Sequence, residues 1–223
     1  MRIRESGFSL VELMIVVAIL AVIAAIAVPN LVSSRAVANE RTVIAALRSV
    51  CTAQMQCRSQ TVLDVDHDGL GEALGLGELA GAQPLRSGDG RMVPPTLAMS
   101  LGALDAAGYV HAKGYLLALY LPDASGAGLL ATPGNAAAID ADGAEIAWTC
   151  VAWPVTRNRT GSVTYFLNQS GDILVTKDAA YDGLTTRPAA GCGLVGVPAA
   201  TIVGGALAAN TVGADGHRWQ VVQ

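Results

Sequence analysis

Charge is scarce in this sequence. Only 14% of its 223 residues are Asp, Glu, Lys or Arg, against roughly a quarter in an ordinary soluble domain. The formal net charge is −4, and no stretch interleaves basic residues with aromatics, so the electrostatic footprint of a nucleic-acid-binding protein is missing. Catalytic signatures are missing as well. His67, His111 and His217 lie far apart, with no H-E-x-x-H and no zinc-ligand spacing with cysteine. Neither a G-x-S-x-G elbow nor a Walker loop occurs. These absences argue against an enzyme and against a nucleic-acid partner, and they leave no catalytic residue to name.

What is abundant is apolar sequence at the N-terminus. From Phe8 to Val28 only Ser9 and Glu12 are polar, and about 20 apolar residues suffice for a helix to span a bilayer. Arg2 and Arg4 precede the run, which keeps that end cytoplasmic and exports the long remainder. Ala25-Ile26-Ala27 matches a signal-peptidase pattern. Yet the run exceeds the roughly 7–15 apolar residues of a secretory signal, and it carries an acid near its start. An ionised side chain at the centre of a membrane helix costs about 2.5–3.5 kcal/mol and usually faces a partner. Glu12 therefore needs one.

The stretch Gly7-Phe8-Ser9-Leu10-Val11-Glu12 resembles the processing site of type IV pilins and type II secretion pseudopilins. The resemblance covers about the first 50 residues and implies a life history. Prepilin peptidase/methylase cuts after Gly7 and N-methylates Phe8. Glu12 then pairs with the new α-amino group, its own or a neighbour's, which sets register as subunits join a filament. Pro29 matches a proline that many members carry just past the apolar run, where the helix can unwind inside the filament. The implied partners are further copies of this chain, other pilins, the inner-membrane assembly machinery, and membrane lipid before assembly. The implied location is the bacterial inner membrane and then an extracellular pilus. A major pseudopilin tends to have a Tyr-Pro segment after the helix, which this chain lacks, so the resemblance leans toward a pilus subunit. A pseudopilin is the alternative, and a membrane-tethered exported enzyme or binding protein a distant one.

Beyond Pro29 the helical period resumes. Val43, Leu47, Val50 and Cys57 share one face, and Ile44, Leu47, Cys51 and Met55 an adjoining one, while Arg35, Glu40, Arg41 and Arg48 fill polar positions. Pro29 removes one hydrogen bond and predicts a kink or local melting. A helix from Phe8 to about Gln60 is roughly 80 Å long. Downstream, Tyr109–Leu121, Glu145–Val155, Val163–Gln169 and Ile173–Thr176 read as strands. Residues 122–142 read as surface loop, and the last residues as a short strand or docking tail. The expected fold is α+β: a long N-terminal helix, half transmembrane and half amphipathic, packed on a small antiparallel sheet, as the resemblance also implies. The expected segments are a leader (1–7), a transmembrane assembly helix (8–29), its amphipathic continuation (30–60), an acidic loop (61–82) and a β-rich head with a C-terminal tail (83–223).

Two further patterns carry chemistry. Asp64-Val65-Asp66-His67-Asp68-Gly69 matches the first half of a calcium loop. An EF-hand would place Glu at its twelfth position, where this chain has Gly75, so Glu72 or Glu78 would have to supply the missing oxygen. The expected ligands are Asp64, Asp66, Asp68 and Glu72, and calcium is the one cofactor considered. The four cysteines, Cys51, Cys57, Cys150 and Cys192, are disulfide candidates in an exported chain. On a helix Cys51 and Cys57 point about 120° apart, which disfavours a bond between them. Pairing of either with Cys150 or Cys192, and four unpaired buried residues, stay open as alternatives.

Overall fold

The computed structural model describes residues 9–88, 90–178 and 181–222. One helix, α1 (Leu10–Ser59), runs without interruption through Pro29. Its start is fixed by a capping box. Ser9 Oγ accepts from the Val11 N–H (3.3 Å), and Glu12 Oε2 accepts from the Ser9 N–H (3.0 Å), satisfying donors that a helix N-terminus leaves orphaned. Short helices follow at Leu76–Leu79 (α2) and Ala141–Ile146 (α3), the latter capped by Asp140, whose Oδ2 accepts from the Gly143 N–H at 2.8 Å.

The strands are β1 (Val110–Ala112), β2 (Tyr115–Pro122), β3 (Gly128–Leu130), β4 (Thr149–Pro154), β5 (Thr164–Asn168), β6 (Ile173–Thr176), β7 (Leu194–Val195), β8 (Ala206–Leu207) and β9 (Gln220–Val221). Seven form one antiparallel sheet in the order β1-β2-β4-β5-β6-β9. In it, β3 shares the β1 edge of β2 but pairs with the far end of that strand. A separate ribbon joins β7 and β8. The expected α+β architecture is therefore present, with three differences. Tyr109–Leu121 divides at Lys113-Gly114 into two strands, because Lys113 (φ 47°) and Gly114 (φ 81°) both take left-handed backbone and make a two-residue hairpin turn. Glu145 ends a helix rather than opening a strand. The 122–142 segment contains β3, a 3-10 helix (Pro133–Ala138) and the start of α3.

Side chains on the sheet alternate between two cores. Tyr115, Leu117, Leu119, Cys150, Ala152 and Leu167 face α1, where Val43, Leu47, Val50 and Cys57 are buried. Leu116, Ala118, Val151, Trp153, Phe166 and Leu174 face the other way, as a period of two requires. Residues 181–222 cover that second face with Tyr181, Cys192, Leu194, Ile202 and Trp219. Polar pins hold this cover in place. Asp215 accepts from Tyr181 Oη (2.7 Å) and Trp219 Nε1 (3.1 Å), and Trp153 Nε1 donates to the Gly183 carbonyl (2.8 Å). The C-terminal region is thus a full layer of the domain, closed by the edge strand β9.

The segment between α1 and the sheet is held by a buried ion-pair group. Arg86 donates to Glu72 (3.0 Å), Glu78 (3.1 Å) and the Ala73 carbonyl (2.8 Å), with all three charged side chains nearly inaccessible. Gln54 of α1 bonds both backbone groups of Leu74. Replacing Arg86 with Ala strands two buried carboxylates, which costs about 3–5 kcal/mol. Denaturant unfolding of the full chain in detergent micelles should register that loss. A change below about 1 kcal/mol, the range of exposed pairs, would contradict this reading.

Candidate functional site: the uncovered helix half and the acidic loop

The first buried residue of α1 is Val43, and its other buried positions lie further toward the C-terminus. The head reaches the helix at Asn39 and Glu40. Asn39 Nδ2 donates to the Thr160 carbonyl (2.9 Å), and Glu40 Oε1 accepts from the Ser162 N–H and hydroxyl, each at 2.9 Å. Before that point the helix is bare. Leu10 is 73% exposed, and Leu13, Ile15, Val17, Leu20, Ile23, Ile26 and Leu31 are all more than half exposed. The apolar part of this stretch, Leu10–Val28, is roughly 28 Å long at 1.5 Å per residue, close to the roughly 30 Å of a bilayer's hydrocarbon core. An apolar surface this long and continuous requires lipid or other protein.

Gly7 and Phe8 lie outside the described residues. Glu12 is described, and its carboxylate accepts from the Ser9 N–H at 3.0 Å. The cleavage after Gly7 that the resemblance implies would leave that amide intact, because the Phe8–Ser9 peptide bond would survive. It would create the ammonium one residue from the group Glu12 already binds. The capping box was readable as Ser9-x-x-Glu12 ahead of an apolar run, a signal that the search for a charge partner passes over.

The acidic loop is organised differently from the expected calcium loop. Asp64 folds onto the backbone, accepting from the Asp68 and Gly69 N–H groups at 3.2 and 3.1 Å. Glu72 accepts from the Val65 N–H (2.7 Å) and pairs with Arg86. Asp66 and Asp68 also accept from loop N–H groups, of Asp68 (3.3 Å) and Leu70 (2.8 Å), and they meet Asp142 and Glu145 of α3, each offering an oxygen within 4.8 Å of the others. A backbone hydrogen bond from Ala73 to the Ala144 carbonyl (2.9 Å) docks the loop on α3. No local sequence spacing announces this grouping, since its halves are more than seventy residues apart.

The four cysteines are free thiols. The pairings expected with Cys192 are blocked by the sheet: Cys57 and Cys150 belong to the core facing α1, which Cys51 borders, and Cys192 to the opposite one. Nor does Cys51 or Cys57 bond to Cys150; Cys57 Sγ lies 3.5 Å from Thr96 Oγ1. Burial raises all four thiol pKa values, that of Cys150 up to about 12. With thiol-reactive probe at mildly alkaline pH, half-buried Cys51 should label in the native chain. Cys57, Cys150 and Cys192 should label only after unfolding without reductant. Thiols missing from the unfolded, unreduced chain would reveal a disulfide and contradict this.

Residues 2–28 match the family described as the prokaryotic N-terminal methylation motif. No curated protein and no solved structure matches the chain. The matched motif, continued by a long apolar helix that packs its far half on an antiparallel sheet, supports the resemblance to type IV pilins and pseudopilins.

Proposed function

We propose that the chain is a structural subunit of a type IV pilus. It is made as a membrane-inserted precursor, cleaved after Gly7, N-methylated at Phe8 and polymerised through the apolar half of α1. Lipid is its environment before assembly, in the inner membrane, and neighbouring subunits replace lipid in the extracellular fibre. The observation that carries this reading is the uncovered helix from Leu10 to about Ala38, attached to a head whose sheet is packed on both faces. The head's apolar surface is largely spent internally, so the helix is the element left to associate. On this reading the protein has no catalytic site; its chemistry is the processing done to it by a prepilin peptidase/methylase.

Glu12 has two separable roles, as the cap acceptor for Ser9 and as the charge that meets a neighbour's α-ammonium. Gln at the third helical position also completes a capping box, so Glu12→Gln keeps the cap and removes the charge. Both Glu12→Gln and Glu12→Ala should insert and be processed, which intact mass reads as loss of Met1–Gly7 and gain of a methyl group. Both should fail to enter sheared surface fibres, because the charge is what assembly needs. A normal yield of fibres containing the Glu12→Gln subunit would overturn the charge role and leave only the cap.

A pseudopilin in a type II secretion assembly is the second reading. The matched N-terminal motif favours it equally, since both kinds of filament use the same N-terminal chemistry.

A further inference from the structure

We propose that Asp66, Asp68, Asp142 and Glu145 form a calcium site that fastens the loop after α1 to helix α3. The donor set contains oxygen alone, which selects a hard cation over zinc, copper or iron. One oxygen from each residue lies within 4.8 Å of all the others. Separations within that limit fit oxygens around a calcium ion at about 2.4 Å, whereas magnesium demands near-ideal octahedral geometry and dehydrates reluctantly, which suits it less to four carboxylates drawn from two segments. Three of the four side chains are exposed, leaving room for water to complete the six to eight ligands calcium takes.

Glu145 makes the cluster more than an acidic patch. It is only 7% exposed, and its Oε1 is buried with no hydrogen-bond partner. A buried, unpartnered carboxylate oxygen is costly, and this one sits in the last turn of α3, where the helix dipole opposes negative charge. Burial first, and then the carboxylates of Asp68, Asp66, Asp142 and Glu72, hold the Glu145 carboxyl above its ordinary range. Arg58, which lines the same surface depression, donates to the Gly71 carbonyl at 3.4 Å. Among the described residues no Lys or Arg forms an ion pair with any of the four acids. A bound divalent cation resolves the repulsion and supplies Glu145 with its partner. Binding would couple the 64–72 turn, through α3, to strands β2 and β4.

The test uses the full chain in detergent micelles, with calcium chloride against EDTA. Equilibrium dialysis should find one calcium per chain, with an affinity near the roughly 10⁻⁴–10⁻³ M of extracellular calcium modules, and the melting temperature should rise with calcium. Magnesium at equal concentration should shift melting less. Glu145→Gln and, separately, the exposed Asp66→Asn should each weaken calcium binding at least about tenfold. In EDTA, Glu145→Gln should melt at or above the unsubstituted chain, because it relieves the buried repulsion; simple damage to the fold would lower it. No calcium retained at millimolar concentration overturns the proposal, as does an equal response to magnesium or undiminished binding in both variants.

Discussion

An apolar helix that its own chain leaves bare is the constraint on which the rest of this structure depends. Burying such a surface is worth about 25 cal/mol per Å², far too much to leave in water. The helix must therefore sit in lipid or among other helices for the whole life of the protein. Everything near it accommodates that requirement. Ser9 and Glu12 close the helix start without help from solvent. Pro29 lies within the helix, leaving the Ala25 carbonyl without its usual N–H donor. Asn39 and Glu40 mark where the head begins, so the bare half projects as one element.

The head is built to offer little competing surface. An antiparallel sheet commonly leaves one face to water, but here α1 takes one face and residues 181–222 the other. The C-terminal half of α1 is at once part of the core and the mount for the bare half. The connection between helix and sheet is polar and buried, through Arg86 with its two glutamates and Gln54 with Leu74. Just outside it, the four-carboxylate group lies between the same loop and α3. The segment that sets the head on the helix thus concentrates the charge of a charge-poor chain.

Sequence periodicity reaches some of these features and misses others, for physical reasons. The helix and its buried face were legible, because Val43, Leu47, Val50 and Cys57 recur at helical spacing and are the residues that pack. β5 and β6 were legible from short apolar runs around a turn at Ser170-Gly171. The second layer was less so. Tyr115–Leu121 is apolar without alternation, the mark of a strand buried on both faces, yet the segment that covers it is Gly- and Ala-rich and has little regular structure of its own. The acidic loop shows the same limit. The D-x-D-x-D-G pattern marks a turn in which Asp64 accepts from its own backbone, but Asp142 and Glu145 come from a distant helix, and Arg86 takes Glu72. Long-range partners of this kind leave no local spacing to read.

The central claim is that the bare half of α1 associates with copies of itself, in register set by Glu12. Cryo-electron microscopy of fibres sheared from cells expressing this chain tests it most directly. The expected map shows this subunit in the filament, its Leu10–Ala38 segment at the filament centre and the Glu12 carboxylate against the α-amino group of a neighbouring Phe8. A fibre in which this chain's apolar helix faces solvent, or in which Glu12 meets no neighbouring amine, would contradict it.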